Sequence, residues 1–96
     1  MEISKSDVVL SLAGHDKGKL FFVIDTDGVY VSLVNGKERK AEKPKLKKIK
    51  HVQKIPRQDS SLTEKLLSGE HILNSELRRE LAAISQAINV STKEGS

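Results

Sequence analysis

The strands at the start of the chain lie in residues 8–34, which read VVLSLAGHDKGKLFFVIDTDGVYVSLV. Apolar residues alternate with other residues over positions 8–13, and this period of two predicts a strand with one buried face. Residues 20–24 form a near-continuous apolar run, and alternation returns over residues 29–34. The stretch therefore predicts three short strands connected by tight turns.

Turn signals separate these strands and extend the pattern. Residues 13–18, AGHDKG, form the first turn, and an Asp-Gly pair at 27–28 and an Asn-Gly pair at 35–36 favour two-residue hairpins. Residues 37–42 then predict a polar return strand, and residues 48–55 a last strand that ends before a proline. Five short strands in fewer than 60 residues predict a small, strongly bent sheet or barrel.

A first helix is predicted shortly after residue 57. Ser61 and Glu64 have the spacing of a capping box, with the serine at the N-cap and the carboxylate three residues later. Gly69 is a suitable stop for this helix, because glycine readily takes the left-handed conformation that ends helices.

A second, amphipathic helix is predicted to begin at Asn74 or Ser75. Its apolar residues follow one another at intervals of four, three and four positions, which places them on one face. They are Leu77, Leu81, Ile84 and Ile88. The simplest interpretation is that this face covers an open side of the sheet. Docking on another protein and a seam between two copies of the chain are the alternatives, and we expect the free protein to be a monomer.

Positive charge is concentrated in one fifth of the chain. The formal net charge is +4, but residues 37–57 hold ten Lys or Arg against two acids, whereas residues 1–36 and residues 58–96 are each net acidic. Such a block indicates binding to nucleic acid or another polyanion. A solvated loop without a partner is the alternative.

Composition argues against several other classes of protein. No window approaches the ~18 consecutive apolar residues of a membrane span, and no apolar signal segment follows the N-terminus. The chain has no cysteine, so it forms no disulfide and no thiolate zinc site. We therefore expect a cytoplasmic protein with no membrane association.

No motif predicts an enzyme, a metal site or a cofactor. The three histidines are far apart in the sequence and lack the spacing of metal ligands. Asp25 and Asp27 resemble part of a calcium loop, but Val23 and Val34 occupy the positions that would have to be ligands. No nucleophile–base pair, P-loop or dinucleotide fingerprint is present.

Aromatic side chains are sparse. Phe21 and Phe22 are adjacent and face opposite ways in a strand, so we expect one ring in the core and the other to be a candidate for exposure. Tyr30 is a candidate either to stack on a base or to cover the edge of the core. Recognition of folded RNA by shape and phosphate is therefore favoured over base stacking along a single strand.

The first three strands resemble the KOW motif, which occurs in ribosomal proteins and in transcription elongation factors of the NusG type. The matching positions are Val8, Leu10, Gly14, Lys17, Gly18, residues 20–24 and residues 29–31. Over residues 8–55 the chain resembles bacterial KOW-domain RNA-binding proteins, which are similar to the fourteenth e-type protein of the archaeal and eukaryotic large ribosomal subunit. It departs from them at His15, where relatives often have Arg.

This resemblance implies an SH3-like β-barrel that binds structured RNA, usually ribosomal RNA. We expect an α+β protein, with a KOW-type barrel of about five strands in residues 1–57 and a helical extension in residues 58–96. The extension lies outside the motif, so the resemblance implies no role for it.

The expected RNA-binding residues are the turn lysine, the cations of the basic block and a histidine within that block. They are Lys17, Lys37, Arg39, Lys40, Lys43, Lys45, Lys47, Lys48, Lys50, His51 and Lys54. Gly14 and Gly18 are expected to shape the turn so that backbone N–H groups approach a phosphate; a turn that needs glycine only for its dihedral angles is the alternative. Ribosomal proteins or translation factors are further candidate partners. The alternative function is a protein-interaction module that contacts a translation or transcription factor through its barrel or its C-terminal helix.

Overall fold

A computed structural model describes residues 2–56 and 60–94 of the chain. It contains one antiparallel sheet of five strands, followed by two helices, so the protein is α+β as the sequence predicts. The elements are β1 (Val8–Ser11), β2 (Leu20–Thr26), β3 (Tyr30–Val34), β4 (Lys45–Lys48), β5 (Val52–Lys54), α1 (Thr63–Ser68) and α2 (Asn74–Glu94).

The strands follow the order β4-β3-β2-β1-β5 across the sheet. The edge strands β4 and β5 are consecutive in the chain and are joined by a single 3-10 turn, Ile49–His51. No ladder pairs β4 with β5 in the described part of the chain, so the sheet is open and not closed into a ring.

Both faces of the sheet are buried. One face, which we call the inner face, carries Val9, Phe21 and Leu33. The opposite, helix-side face carries Phe22 and Val34 together with apolar residues of both helices. Phe21 is 0% exposed and Phe22 is 1% exposed, so no phenylalanine ring is available at the surface. The expectation of one ring in the core is therefore confirmed, and the candidate exposure of the other ring is wrong.

The α2 helix provides most of the cover on the helix-side face. Leu77, Leu81 and Ile84 are buried in the same cluster as Phe22, and Ile88 packs partly buried against it. The prediction that this stripe covers an open side of the sheet is confirmed. The helical segment therefore shares a core with the strands. Burying three large apolar side chains contributes on the order of 5 kcal/mol to stability.

The first residue of α2 also holds a loop in place. The Asn74 side-chain carbonyl accepts a hydrogen bond from the Ala41 N–H at 2.8 Å, and its amide donates to both carboxylate oxygens of Glu42 at 3.0 Å. The helix begins at Asn74, one of the two residues predicted to cap it. The prediction of Asn74 as the cap is wrong, because its side chain bonds to the loop before β4 and not to its own helix.

The predicted capping box of α1 is wrong. The N-cap is Leu62, which has no capping side chain, whereas the Ser60 hydroxyl accepts a hydrogen bond from the Leu62 N–H at 3.1 Å. Ser61 lies in the preceding turn and is exposed. The predicted stop is confirmed, because Gly69 ends the helix in the left-handed region at φ 75°.

The predicted strand over residues 37–42 is also wrong, because this segment is a loop. The buried side chain of Asn35 accepts hydrogen bonds from the N–H groups of Lys37 and Arg39, each at 3.0 Å. The backbone N–H of Asn35 donates to the Arg39 carbonyl at 2.8 Å. These bonds turn the backbone back on itself, so its donors are not available for a strand ladder. The last strands are β4, which begins after Pro44, and β5.

Candidate nucleic-acid interface

The turn between β1 and β2 is built on two glycines. Gly14 has φ 77° and Gly18 has φ 87°, a region that side chains other than glycine rarely adopt. The Gly18 N–H donates to the Ser11 carbonyl at 2.9 Å, and the Lys17 N–H donates to the Gly14 carbonyl at 3.2 Å. The turn is therefore closed by two backbone hydrogen bonds.

Lys47 connects this turn to β4. It pairs with Val31 of β3, so its side chain lies on the inner face. The Lys47 ammonium donates hydrogen bonds to the Ser11 hydroxyl at 2.8 Å and to the Ala13 carbonyl at 2.7 Å. A cation of the basic block thus lies directly against the glycine turn.

Arg39 connects the same turn to the loop before β4. Its Nη2 lies 3.0 Å from Asp16 Oδ2 and its Nε lies 3.3 Å from the same oxygen. Asp16 is only 4% exposed. A buried carboxylate without a cationic partner would cost several kcal/mol, so this ion pair fixes the loop relative to the turn.

These contacts surround a cavity of about 360 Å³, which we call the turn cavity. It is lined by Ala13, Gly14, His15, Asp16, Arg39, Lys45, Lys47 and His51. It brings together five of the residues singled out from the sequence, although they come from the turn, the loop, β4 and the 3-10 turn.

Backbone donors also face the surface here. Within residues 2–56 and 60–94, the N–H groups of Gly14, His15 and Asp16 donate no hydrogen bond to the protein. Successive unbonded N–H groups next to a left-handed residue form an anion-binding concavity. The turn cavity thus combines backbone donors with three cationic side chains.

The other predicted cations lie around this cavity or away from it. Lys48 pairs with Tyr30 and faces the side of the sheet opposite to Lys45 and Lys47, as strand alternation requires. The remaining exposed lysines without an ion pair in the described chain are Lys17, Lys37, Lys40, Lys43 and Lys50. Lys37 lines a different groove, between the sheet and α2, together with Arg78. The basic residues therefore do not form one continuous strip.

Lys54 is placed differently from the other lysines of the block. Its ammonium lies 3.4 Å from a carboxylate oxygen of Asp7 and donates to the Glu2 carbonyl at 3.3 Å. These contacts give Lys54 a structural role on β5, the edge strand beside β1. Its role in RNA binding stays a prediction.

Two residues that organise the site were not predicted from the sequence. Asp16 was part of the predicted turn but had no assigned role, and Asn35 was considered only as half of a hairpin pair. One feature of the sequence could have indicated a role for Asp16. It is the single acid in residues 13–18, a turn that was expected to bind the same partner as the basic block. Its partner Arg39 is 23 positions away, so only the fold could identify the pair.

Carboxylates near the loop moderate the positive charge. The pKa of Glu38 is lowered, first by the hydrogen bond from Lys19, whose ammonium lies 3.0 Å away. The nearby charge of Lys37 also lowers the pKa of Glu38. In return, the negative charge of Glu38 reduces the positive field beside Lys37. The turn cavity, by contrast, contains one carboxylate, that of Asp16, which Arg39 neutralises.

Neither a metal centre nor a membrane helix is found in the described part of the chain. No three His, Cys, Asp or Glu residues come together there as a possible metal site. None of its helices is long and apolar enough to cross a membrane. No protein-family model matches the chain, and no curated protein matches its sequence.

Proposed function

We propose that this protein binds structured RNA, in particular ribosomal RNA or a ribosome-associated complex, through contacts to the sugar–phosphate backbone. The turn cavity is the observation that carries this proposal. It presents backbone N–H groups and cationic side chains on one concave surface, and both kinds of donor bind phosphate oxygens.

The cations that line the cavity, and Lys17 in the turn beside it, have two different tasks. Lys47 and Arg39 already have protein partners, so they hold the turn, the loop and β4 in a fixed arrangement. Lys45 and Lys17 are exposed and have no such partner among the described residues, so they are the side chains that reach phosphates. The lysines further out add a positive field that attracts RNA over longer distances.

An SH3-like barrel of the KOW type is the fold that fits this function. Two observations support it: the order of the five strands, with a 3-10 turn joining the two edge strands, and the apolar cluster enclosed on the inner face. The association with ribosomes and translation, and with the cytoplasm, rests on the sequence resemblance over residues 8–55.

The alternative, a protein-interaction module, depended on an exposed apolar face of α2 or an exposed phenylalanine ring. The apolar face of α2 is packed against the sheet, and both phenylalanine rings are buried. Exposed apolar side chains in the described chain, among them Leu46 and Leu67, are what such a contact would have to use.

The proposal is tested by removing two charges at the site and two elsewhere. The site variant is Lys17→Ala with Lys45→Ala, and the control is Lys5→Ala with Arg79→Ala, which has the same net charge. At about 50 mM salt the site variant should bind several structured RNAs at least about tenfold more weakly, and to a similar degree for each. Equal losses in both variants, or no binding by the unmodified protein, would overturn the proposal.

A further inference from the structure

The turn cavity is larger than phosphate binding requires. Its volume of about 360 Å³ lies within the range of about 300–1,000 Å³ that is typical of pockets for small organic molecules. A continuous RNA duplex offers such a cavity its phosphates, its 2′-hydroxyls and the edges of its bases, but no free base face, because its bases are paired and stacked inside. The space beyond the phosphate-binding donors therefore fits an unpaired base, whose face a duplex does not present.

Two imidazole rings line this space. His15 is exposed on the turn, and His51 is half-buried at the end of the 3-10 turn. The His51 carbonyl accepts a hydrogen bond from the Leu12 N–H at 2.9 Å, which holds that residue beside the turn. The two rings therefore approach the cavity from different elements that the fold holds together.

Histidine is one of the side chains on which unpaired RNA bases stack. The other aromatic rings cannot serve at this place. Phe21 and Phe22 are buried, and Tyr30 does not line the cavity. Among the aromatic rings of the described chain, only the two histidines are therefore placed to stack on a base at this surface.

We propose that the turn cavity receives one unpaired nucleotide, and that the preferred partner is an RNA stem interrupted by such a nucleotide. This inference rests on the proposed function, since the lysines must first bring the RNA backbone to the turn. The phosphate of the extruded nucleotide meets the N–H groups of Gly14 and His15 and the ammonium of Lys45. Its base lies against the imidazoles of His15 and His51.

The test compares two hairpin RNAs that are identical except for one unpaired nucleotide in the stem. Fluorescence anisotropy with the full chain should show about tenfold tighter binding to the interrupted hairpin, the order expected for one stacked base. With 2-aminopurine at the unpaired position, its fluorescence should fall on binding because of stacking.

Histidine variants identify the cavity as the site. The double variant, His15→Ala with His51→Ala, should bind both hairpins equally and leave the 2-aminopurine signal unchanged. If the double variant does not fold, His15→Ala alone serves as the test, because it changes only an exposed side chain. It should reduce the preference for the interrupted hairpin. His71→Ala is the matched control, because this histidine lines a separate groove beside α1, and it should keep the full preference.

The outcomes separate this inference from the proposed function. Equal binding of both hairpins by the unmodified protein would overturn the nucleotide site and leave RNA binding intact. A preference that survives in folded His15→Ala, His51→Ala protein would also overturn it. If neither hairpin binds in dilute salt, the proposed function and this inference both fail.

Discussion

The ammonium of Lys47 lies 2.7 Å from the carbonyl oxygen of Ala13, so a side chain on β4 ends at the backbone of the β1–β2 turn. Its second bond, to the Ser11 hydroxyl at 2.8 Å, connects it to the end of β1 as well. The two strands are not neighbours in the sheet. Lys47 therefore joins parts of the inner face that the strand ladders leave separate, and it fixes the turn relative to β4.

The first prediction concerns the stability that this lysine provides. Lys47→Met keeps most of the aliphatic chain but removes both hydrogen bonds, so it should lower the free energy of unfolding by about 1–3 kcal/mol. Urea unfolding measures the change. Lys48→Met, at the next position and on the opposite face, is the control and should change stability by less than about 0.5 kcal/mol. Equal effects of the two would show that the Lys47 bonds contribute nothing.

The second prediction concerns the salt dependence of RNA binding. Five to eight phosphate contacts would make log affinity fall with log salt at a slope of about −4 to −7. Lys45→Ala should make the slope shallower by about 0.7–0.9, the value for one contact. Lys5→Ala should leave it unchanged, because Lys5 lines a groove beside α1 and not the turn cavity. A slope near zero for the unmodified protein would contradict phosphate binding.

The third prediction separates backbone strain from a steric clash. A methyl group at Gly36 would overlap the Asn74 carbonyl oxygen and lie 3.0 Å from Leu77 Cβ, whereas one at Gly28 would meet nothing within 4 Å. Both glycines have positive φ. Gly28→Ala should therefore cost about 1–2 kcal/mol from strain alone, and Gly36→Ala about 3 kcal/mol or more, because α2 must shift. Thermal unfolding of the pair measures this difference, which would vanish if α2 did not pack against Gly36.

The fourth prediction tests whether the helices belong to the same folding unit as the sheet. Leu77 is 0% exposed and packs in the cluster that contains Phe22. Leu77→Ala should lower the free energy of unfolding by about 2–5 kcal/mol, and strand and helix signals should be lost in one transition. Leu73→Ala, at a position that is 53% exposed, should have little effect. Two separate transitions would show that the helical segment is independent.

The fifth prediction follows from carboxylates whose pKa values are lowered in the folded protein. The pKa of Glu76 is lowered, first by the hydrogen bond from Lys65 at 2.9 Å and next by the Leu73 N–H. A lowered folded-state pKa stabilises the protein above the ordinary glutamate value of about 4.3, and this contribution is lost as the pH falls through the folded-state pKa. Glu76→Gln should therefore melt at a lower temperature than the unmodified protein at pH 7.

This difference should shrink as the pH is lowered below about 4. The control is Glu64→Gln, at an exposed position in α1, which should melt like the unmodified protein at neutral pH. A difference for Glu76→Gln that is constant with pH would mean that its carboxylate charge plays no part.

Local pattern was sufficient to predict much of the fold. Alternation located β1 and β3, the apolar run located β2, and the spacing of Leu77, Leu81 and Ile84 identified the buried face of α2. These features depend on which face of an element is apolar, and the sequence records this directly. The predicted return strand over residues 37–42 was wrong, because the N–H groups of Lys37 and Arg39 donate to the Asn35 side chain and not to a neighbouring strand.

The geometry of the site was less predictable, because it depends on contacts between residues that are distant in sequence. The glycine turn and the basic block were recognised separately, but the Lys47 ammonium makes their contact by donating to the Ala13 carbonyl, 34 positions away. Side-chain partners also changed the roles of two predicted cations. Arg39 is bound to Asp16 and Lys54 to Asp7, and no periodic pattern indicates such pairs.

The bond between the Asn74 side chain and the Ala41 N–H makes one amide proton a reporter for the whole helical segment. Ala41 lies in a surface loop, where amides normally exchange with deuterium quickly. Here its exchange requires Asn74 to move away, and Asn74 is the first residue of α2. Slow deuterium uptake at this single loop position would therefore measure how often the helix detaches from the sheet, with and without RNA bound.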